Sequence, residues 1–342
     1  MLSTSCSTLD LLPEFGPGAA SRETPSGQES LAYCRRLARA RQENFPVLTR
    51  LLDRSLVDPF AAVYAFCRWA DDLADEHSGS EADRARATEL LGWWRGQTTA
   101  WHMGEAPTHP VFVALAAVGP GLRVPLPLRP FLDLIDAFEQ DQRVTRYRTW
   151  EEVLGYCARS ANPVGRLVLC LGGVEEVDRD PDAEMPHARR MMLEQSDALC
   201  TALQLTNFWQ DVRRDLMDRD RAYVPSEVTG LSAERLRALA GRGNDPAARV
   251  AFIRALRPLV ERTEELFESS EGLHEFIPAP VSTPVWLFHR AGRATLRKVE
   301  ASGCTTLWRR PALSRVEKGV LVLRAFVRAR AGRRARDGAG GR

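Results

Sequence analysis

Apolar residues recur at three- and four-residue spacing along almost the whole chain, and the alternation of a half-buried strand is nearly absent. This periodicity predicts helices over residues 29–41, 58–76, 80–101, 130–145, 149–170, 185–216, 233–240, 246–269, 284–301 and about 311–330. Gly- and Pro-containing breaks fall near 103–110, 119–130, 172–186 and 278–284. Several of the segments are apolar on more than one side, as the central helices of a large bundle are. The expected fold class is all-α, in one folded domain over residues 28–330. Residues 1–27, rich in Ser, Gly and Pro, and the Arg- and Gly-rich residues 331–342 read as disordered.

The rest of the sequence removes most other classes. The seven Cys are scattered and never in C-x-x-C spacing, which argues against a disulfide framework or a zinc site and for reduced cytosolic thiols. There is no G-x-G-x-x-G, no G-x-x-x-x-G-K-[ST], no G-x-S-x-G and no H-E-x-x-H. No apolar run is long enough to span a bilayer, and Met1 to Gly27 lacks the pattern of a secretory signal. The net charge is +2, but residues 321–342 hold seven Arg against one Asp, so the remainder carries −4.

Two places break the pattern of apolar inside and polar outside. In Tyr64-Ala-Phe-Cys-Arg68-Trp-Ala-Asp71-Asp72-Leu-Ala-Asp75-Glu76, the residues Tyr64, Arg68, Asp71 and Asp75 fall on one helical stripe. In Gln204-Leu-Thr-Asn207-Phe-Trp-Gln210-Asp211-Val-Arg-Arg-Asp215, the residues Gln204, Asn207, Asp211 and Asp215 do the same. Like charges one turn apart oppose helix formation by roughly 0.2–0.5 kcal/mol. The flanking residues, including Phe66, Leu73, Leu205, Phe208 and Trp209, are of core type. A single such stripe reads most simply as a solvated face. Two carboxylate stripes among apolar residues point instead to a cation held between them. Hard oxygen donors suit Mg²⁺, which takes one or two carboxylates and fills its other positions with water and phosphate oxygens. The physical reading is an apolar cavity between helices with Mg²⁺ and a diphosphate at its mouth.

A diphosphate held by Mg²⁺ is a leaving group, because the metal stabilises the charge that develops as the C–O bond breaks. With no nucleophilic Ser or Cys in evidence, the simplest chemistry is ionisation of an allylic diphosphate. Aromatic rings near the stripes, namely Tyr64, Phe66, Trp69, Phe208 and Trp209, would shield the cation.

At these residues the chain resembles the squalene/phytoene synthase family, whose paired motifs look like Y-A-F-C-R-x-x-D-D-x-x-D and Q-L-x-N-x-x-x-D-x-x-x-D. The resemblance covers roughly residues 30–300. It extends to Arg221 and Tyr223 in R-A-Y-V-P after the second motif. It also takes in Tyr156, Ala161, Val164 and Gly165, which resemble the family's central tunnel-lining helix. The resemblance implies an isoprenoid-synthase helical bundle, Mg²⁺ as cofactor and an isoprenoid diphosphate as substrate. The expected metal ligands are Asp71, Asp75, Asn207, Asp211 and Asp215, with Tyr64 and the four aspartates catalytic. Arg68, Asp72, Tyr156, Gln204, Asn207, Gln210, Arg221 and Tyr223 are the expected substrate contacts. All four stripe aspartates are present, unlike the decayed motifs of the family's non-catalytic branch.

Three departures bear on the branch: Gln42-Glu43-Asn44-Phe45-Pro46 near the start, Gln210 where Arg is common, and Pro163 inside the central helix. They resemble the hopanoid-cluster branch, which takes presqualene diphosphate and forms hydroxysqualene. A site handling one diphosphate needs fewer cations than a site holding two. Arg146, Arg148 and Arg166 are candidates to restore the charge, and Gln210 is a candidate to position the capturing water. Phe45 reads as packing. The alternative is a head-to-head prenyl transferase using farnesyl or geranylgeranyl diphosphate. The expected location is cytoplasmic, with a downstream reductase as a pathway partner and no nucleic acid. The Arg-rich tail suits either anionic lipid at the inner face of the membrane or no partner at all.

Overall fold

Capping residues set where several helices begin. Ser80 and Thr149 each close a capping box, with Asp83 and Glu152 respectively. Ser232 and Asp245 accept from the first turns of their helices, and Pro246 follows Asp245 where its missing N–H costs nothing. The computed structural model describes residue 8 and residues 11–19, 23–41, 51–75, 80–175 and 186–339, with the side chains of 41, 75 and 332–339 outside that description.

The main helices are α1 (Gly27–Arg41), α2 (Val57–Asp75), α3 (Glu81–His102), α4 (Pro110–Val118), α5 (Leu128–Asp141), α6 (Trp150–Ser160), α7 (Asn162–Leu171), α8 (His187–Asp218), α9 (Ala233–Ala240), α10 (Pro246–Ser269), α11 (Ala279–Ala301) and α12 (Arg315–Ala339). No strand occurs among the described residues, only an isolated bridge between Arg146 and Ala222. The all-α expectation holds. No helix among the described residues is long and apolar enough to cross a membrane.

The chain divides into two compact units, each discontinuous in sequence. The first is Met1–Arg143 with Arg166–Glu184 and Pro278–Val281. Its core is aromatic: Trp69 of α2 stacks on Trp94 of α3 at 5.5 Å, and Phe66 meets Phe131 of α5 edge-on at 4.7 Å. The Trp69 indole N–H donates to the Tyr33 hydroxyl of α1 at 2.8 Å, so the buried polar atom is satisfied. The second unit is Val144–Gly165 with Met185–Ile277 and Ser282–Arg342. In it Trp209 of α8 donates its indole N–H to Thr263 of α10 at 2.8 Å, and Phe252 meets Trp308 edge-on at 5.4 Å.

Four local features differ from the sequence expectation. Helix α4 lies between two breaks where no helix was expected. It is buried on several sides, so it carries no amphipathic period. The segment 149–170 is two helices rather than one, parted at Ala161 with Pro163 in the first turn of α7. The N-terminal segment is not wholly loose: Thr8 and Leu11 are buried, and Phe15 packs edge-on against His109 at 5.8 Å. Helix α12 continues to Ala339, into the segment expected to be a disordered tail.

Candidate active site

The first stripe lies on α2, within the first unit. Arg68 and Asp71 are half-buried and paired, with Arg68 Nη1 3.0 Å from Asp71 Oδ2. The other arm of the Arg68 guanidinium pairs with Asp72. Asp72 is 1% exposed, and its second oxygen accepts from the Thr8 hydroxyl at 2.6 Å. Both carboxylate oxygens of Asp72 are thus engaged inside the chain. Its geometry is that of an anchor for Arg68 and the N-terminal segment, not of the expected substrate contact. Arg68 Nε is buried with no hydrogen-bond partner among the described residues, so the guanidinium keeps one unanswered donor. Tyr64 is half-buried one turn before Arg68, and burial pushes its hydroxyl pKa up. The side chain of Asp75, like all of Gln42 to Pro46 with Phe45 and like Glu76, lies outside the described residues.

The second stripe lies on α8, within the second unit. The helix departs from helical geometry at Asp211 (φ −105°, ψ 16°). Asn207 is exposed, Gln204 and Asp211 are half-buried, and Asp215 is 8% exposed. Burial pushes the Asp215 carboxyl up to about 6; Arg219 offsets part of this, and the nearby Asp211 adds to it. Asp215 also lines a small pocket with Phe208, Arg221, Tyr223 and Leu236.

Backbone contacts hold this pocket together. The Arg221 N–H donates to the Asp215 carbonyl at 2.8 Å, and Ala222 N–H donates to Thr145 O at 2.9 Å. These bonds bring the residue 221–227 loop beside the residue 145–148 segment. The result is a ring cluster: Tyr223 stacks on Phe208 at 3.7 Å and on Tyr147 at 5.5 Å, and Tyr156 lies 5.6 Å from Tyr223. Tyr156, Phe208 and Tyr223 therefore come together with Asp215 and Arg221. Phe66, Trp69 and Trp209 are fully buried core residues. Gly165 is a packing glycine, since a Cβ there would lie 2.6 Å from both Ser196 Oγ and Cys200 Sγ.

Arg310, which sequence reasoning missed, pairs with the second stripe. Its Nη2 lies 3.0 Å from Asp211 Oδ2 and 3.2 Å from Gln210 Oε1, and its Nε also pairs with Asp211. Gln210 in turn donates to the Pro311 carbonyl. Each end of the Gln210 amide thus has a partner within the chain, where the sequence reading made it a candidate to position water. Arg146 and Arg148 do not restore charge here: they pair with Asp220 and Glu227. Arg310 stands 99 positions from Asp211 in an ordinary-looking R-R-P, so nothing in local spacing flags it.

No cluster of three or more His, Cys, Asp or Glu suited to a metal occurs among the described residues. The donor chemistry nonetheless fits Mg²⁺, which needs few carboxylates of its own when phosphate oxygens and water complete its shell. Asp215 supplies a buried carboxyl whose charge a divalent cation would favour, and Asp211, one turn away, is a second carboxylate whose two oxygens are turned to Arg310 here.

The family model for squalene/phytoene synthase matches residues 38–317. The chain belongs to that family. It is an enzyme of the prenyl-diphosphate class, and its fold is the helical fold of its structural neighbours. A hydroxysqualene synthase of Zymomonas mobilis is 32% identical over 230 residues, covering 67% of this chain and 69% of that protein. A 15-cis-phytoene synthase of Synechocystis is 27% identical over 325 residues, covering 92% and 89%. The crystal structure of squalene synthase HpnC from Alicyclobacillus acidocaldarius superposes with a TM-score of 0.63 at 33% identity, covering 81% of this chain and 95% of that one.

Proposed function

We propose that this family member ionises presqualene diphosphate in a Mg²⁺-dependent step, and that water captures the cation to give hydroxysqualene. The observation that carries the reading is Gln210, a neutral amide buried beside the second aspartate stripe and held by the chain itself. Arg310, which does reach the stripe, is paired with Asp211, while Arg146 and Arg148 are paired elsewhere. A neutral amide at 210 brings one cation fewer to the stripe than an arginine there would, which suits one diphosphate rather than two. The similarity to hydroxysqualene synthases supports the same branch.

In this reading Asp71 and Asp75 of the first stripe and Asn207, Asp211 and Asp215 of the second would hold Mg²⁺. When bound, Mg²⁺ would neutralise the charge that develops on the departing diphosphate. Arg68 fixes the Asp71 carboxylate. Gln204 and Arg221 supply further polar contacts. Tyr64, Tyr156, Phe208 and Tyr223 offer ring faces that attract a developing carbocation. The enzyme acts in the cytoplasm, and a reductase consumes its product.

Similarity to phytoene synthases sustains a second reading, prenyl transfer from farnesyl or geranylgeranyl diphosphate. A product assay by gas chromatography–mass spectrometry decides between them. The purified enzyme with Mg²⁺ is expected to convert presqualene diphosphate to hydroxysqualene and to leave farnesyl diphosphate untouched. Consumption of farnesyl or geranylgeranyl diphosphate to presqualene diphosphate, squalene, dehydrosqualene or phytoene would move it to the second reading.

A further inference from the structure

The last helix packs one side against the described residues and leaves an aliphatic stripe on the other side exposed. On α12, Ala325 is fully buried, Glu317 pairs with Lys298 of α11 at 2.6 Å, and the Arg328 guanidinium lies 6.0 Å over the Trp286 ring. These contacts seat the inner face. On the opposite side Val316, Val320, Leu323 and Val327 follow one another at spacings of four, three and four residues, within one narrow arc of the helix. All four are between 44% and 75% exposed. A regular stripe of four large aliphatic side chains facing water is not the scatter of single exposed apolar residues that soluble surfaces ordinarily show.

Charge brackets the stripe. Arg324 lies on one flank and Arg330 on the other, both exposed. The acidic residue of this stretch, Glu317, is turned to Lys298. Residues 315–342 hold nine basic and two acidic residues, a net +7, which leaves −5 on the rest of the chain. We propose that the outer face of α12 is a docking surface for an anionic lipid bilayer, with Val316, Val320, Leu323 and Val327 entering the headgroup boundary and Arg324 and Arg330 contacting lipid phosphates. An aliphatic stripe with basic flanks is the composition of a helix lying in the plane of a membrane interface. Pairing the same stripe with a second copy would bring the flanking arginines of both copies together. Nucleic acid would use the arginines and leave the valines and leucine without a role.

The test uses the full chain in flotation with vesicles of phosphatidylcholine alone or with about one third phosphatidylglycerol, a fraction high enough for a strong surface potential. Two double variants accompany it, Arg324→Glu with Arg330→Glu, and Val320→Asp with Leu323→Asp. Sedimentation velocity without vesicles is run on all three proteins. The expected result is binding to anionic vesicles at least tenfold stronger than to neutral ones, and a loss of roughly tenfold or more in each variant. Parental sedimentation and melting in both variants complete the expected result. Equal binding to both vesicle types, or undiminished binding in the variants, overturns the proposal. So does a parental dimer that the Val320→Asp, Leu323→Asp variant dissociates, because the stripe would then be an interface between copies.

Discussion

Arg310 closes on Asp211 across 99 positions of sequence, with Nη2 3.0 Å from Oδ2 and Nε on the other oxygen. A fork of two parallel N–H donors fixes both the position and the plane of a carboxylate. The pair is half-exposed at the arginine, so its contribution to stability is small, within about 1 kcal/mol. Its contribution to alignment is the larger effect. Arg310→Gln is expected to melt close to the parent and to lose roughly ten- to a hundredfold in kcat/KM, the scale on which small misplacements of a reacting group act. Parental kinetics in a variant whose fold is intact would remove Arg310 from the site.

The adjacent aspartates on α2 are expected to separate function from folding. Asp71 is partly open to solvent, whereas Asp72 is closed in between Arg68 and Thr8. Asp71→Asn should abolish turnover with little change in thermal denaturation, and Asp211→Asn on α8 should do the same. Asp72→Ala leaves part of a buried charge network unpaired, which costs about 3 kcal/mol or more. Product assays beside melting curves read both effects. A stable and active Asp72→Ala protein would show that the anchor is dispensable. Near-normal activity of Asp71→Asn or Asp211→Asn would sink the two-stripe metal reading.

How much of this was legible beforehand depends on the range of the signal. Helices α9 and α10 begin and end where periodicity and caps place them, because Ser232, Asp245 and Pro246 act within one turn. The aspartate stripes were legible for the same reason, since residues four apart share a helix face. Helix α4 was not, because burial on several sides erases the period. Arg310 on Asp211 and Thr8 on Asp72 were not legible either. Both contacts join positions 64 or more apart, and no local pattern encodes such a closure. Gln210 shows the converse: its unusual identity was visible, but its partners Arg310 and Pro311 could come only from the fold.

His109 makes the first unit sensitive to acid. Its Nδ1 accepts the Val111 N–H at 3.2 Å as the cap of α4, and its ring lies edge-on to Trp69 at 4.5 Å and Trp94 at 4.9 Å. Burial drives its pKa down to about 3. The unfolded chain takes up this proton near pH 6.5 and the folded chain does not, so the unfolded state binds more protons between those values. Stability from this group is full above about pH 6.5 and falls as pH drops, by up to about 1.4 kcal/mol per unit until about pH 3. His109→Asn keeps a capping acceptor without the titration. Urea midpoints between pH 4 and 7 are expected to fall less steeply in this variant than in the parent, even if it starts lower. Parallel curves would show that His109 is protonated in the folded state or that another group governs the acid limb.

Gly165 tests the contact between the start of α7 and α8 within the second unit. A methyl group there would meet Ser196 Oγ and Cys200 Sγ at 2.6 Å, closer than real Cβ contacts come. Both atoms end short side chains, so relief requires a rotamer change at each or a shift of the two helices. Overpacking of this kind costs about 1–3 kcal/mol. Gly165→Ala is therefore expected to lower the melting temperature. Movement of α8 would also displace Asn207 and Asp211, which lie on the same helix, so kcat should fall further than the melting change alone explains. Ser196→Ala in the Gly165→Ala background removes one of the two clashing atoms. It should recover part of the lost stability, and failure to do so would place the strain outside this contact.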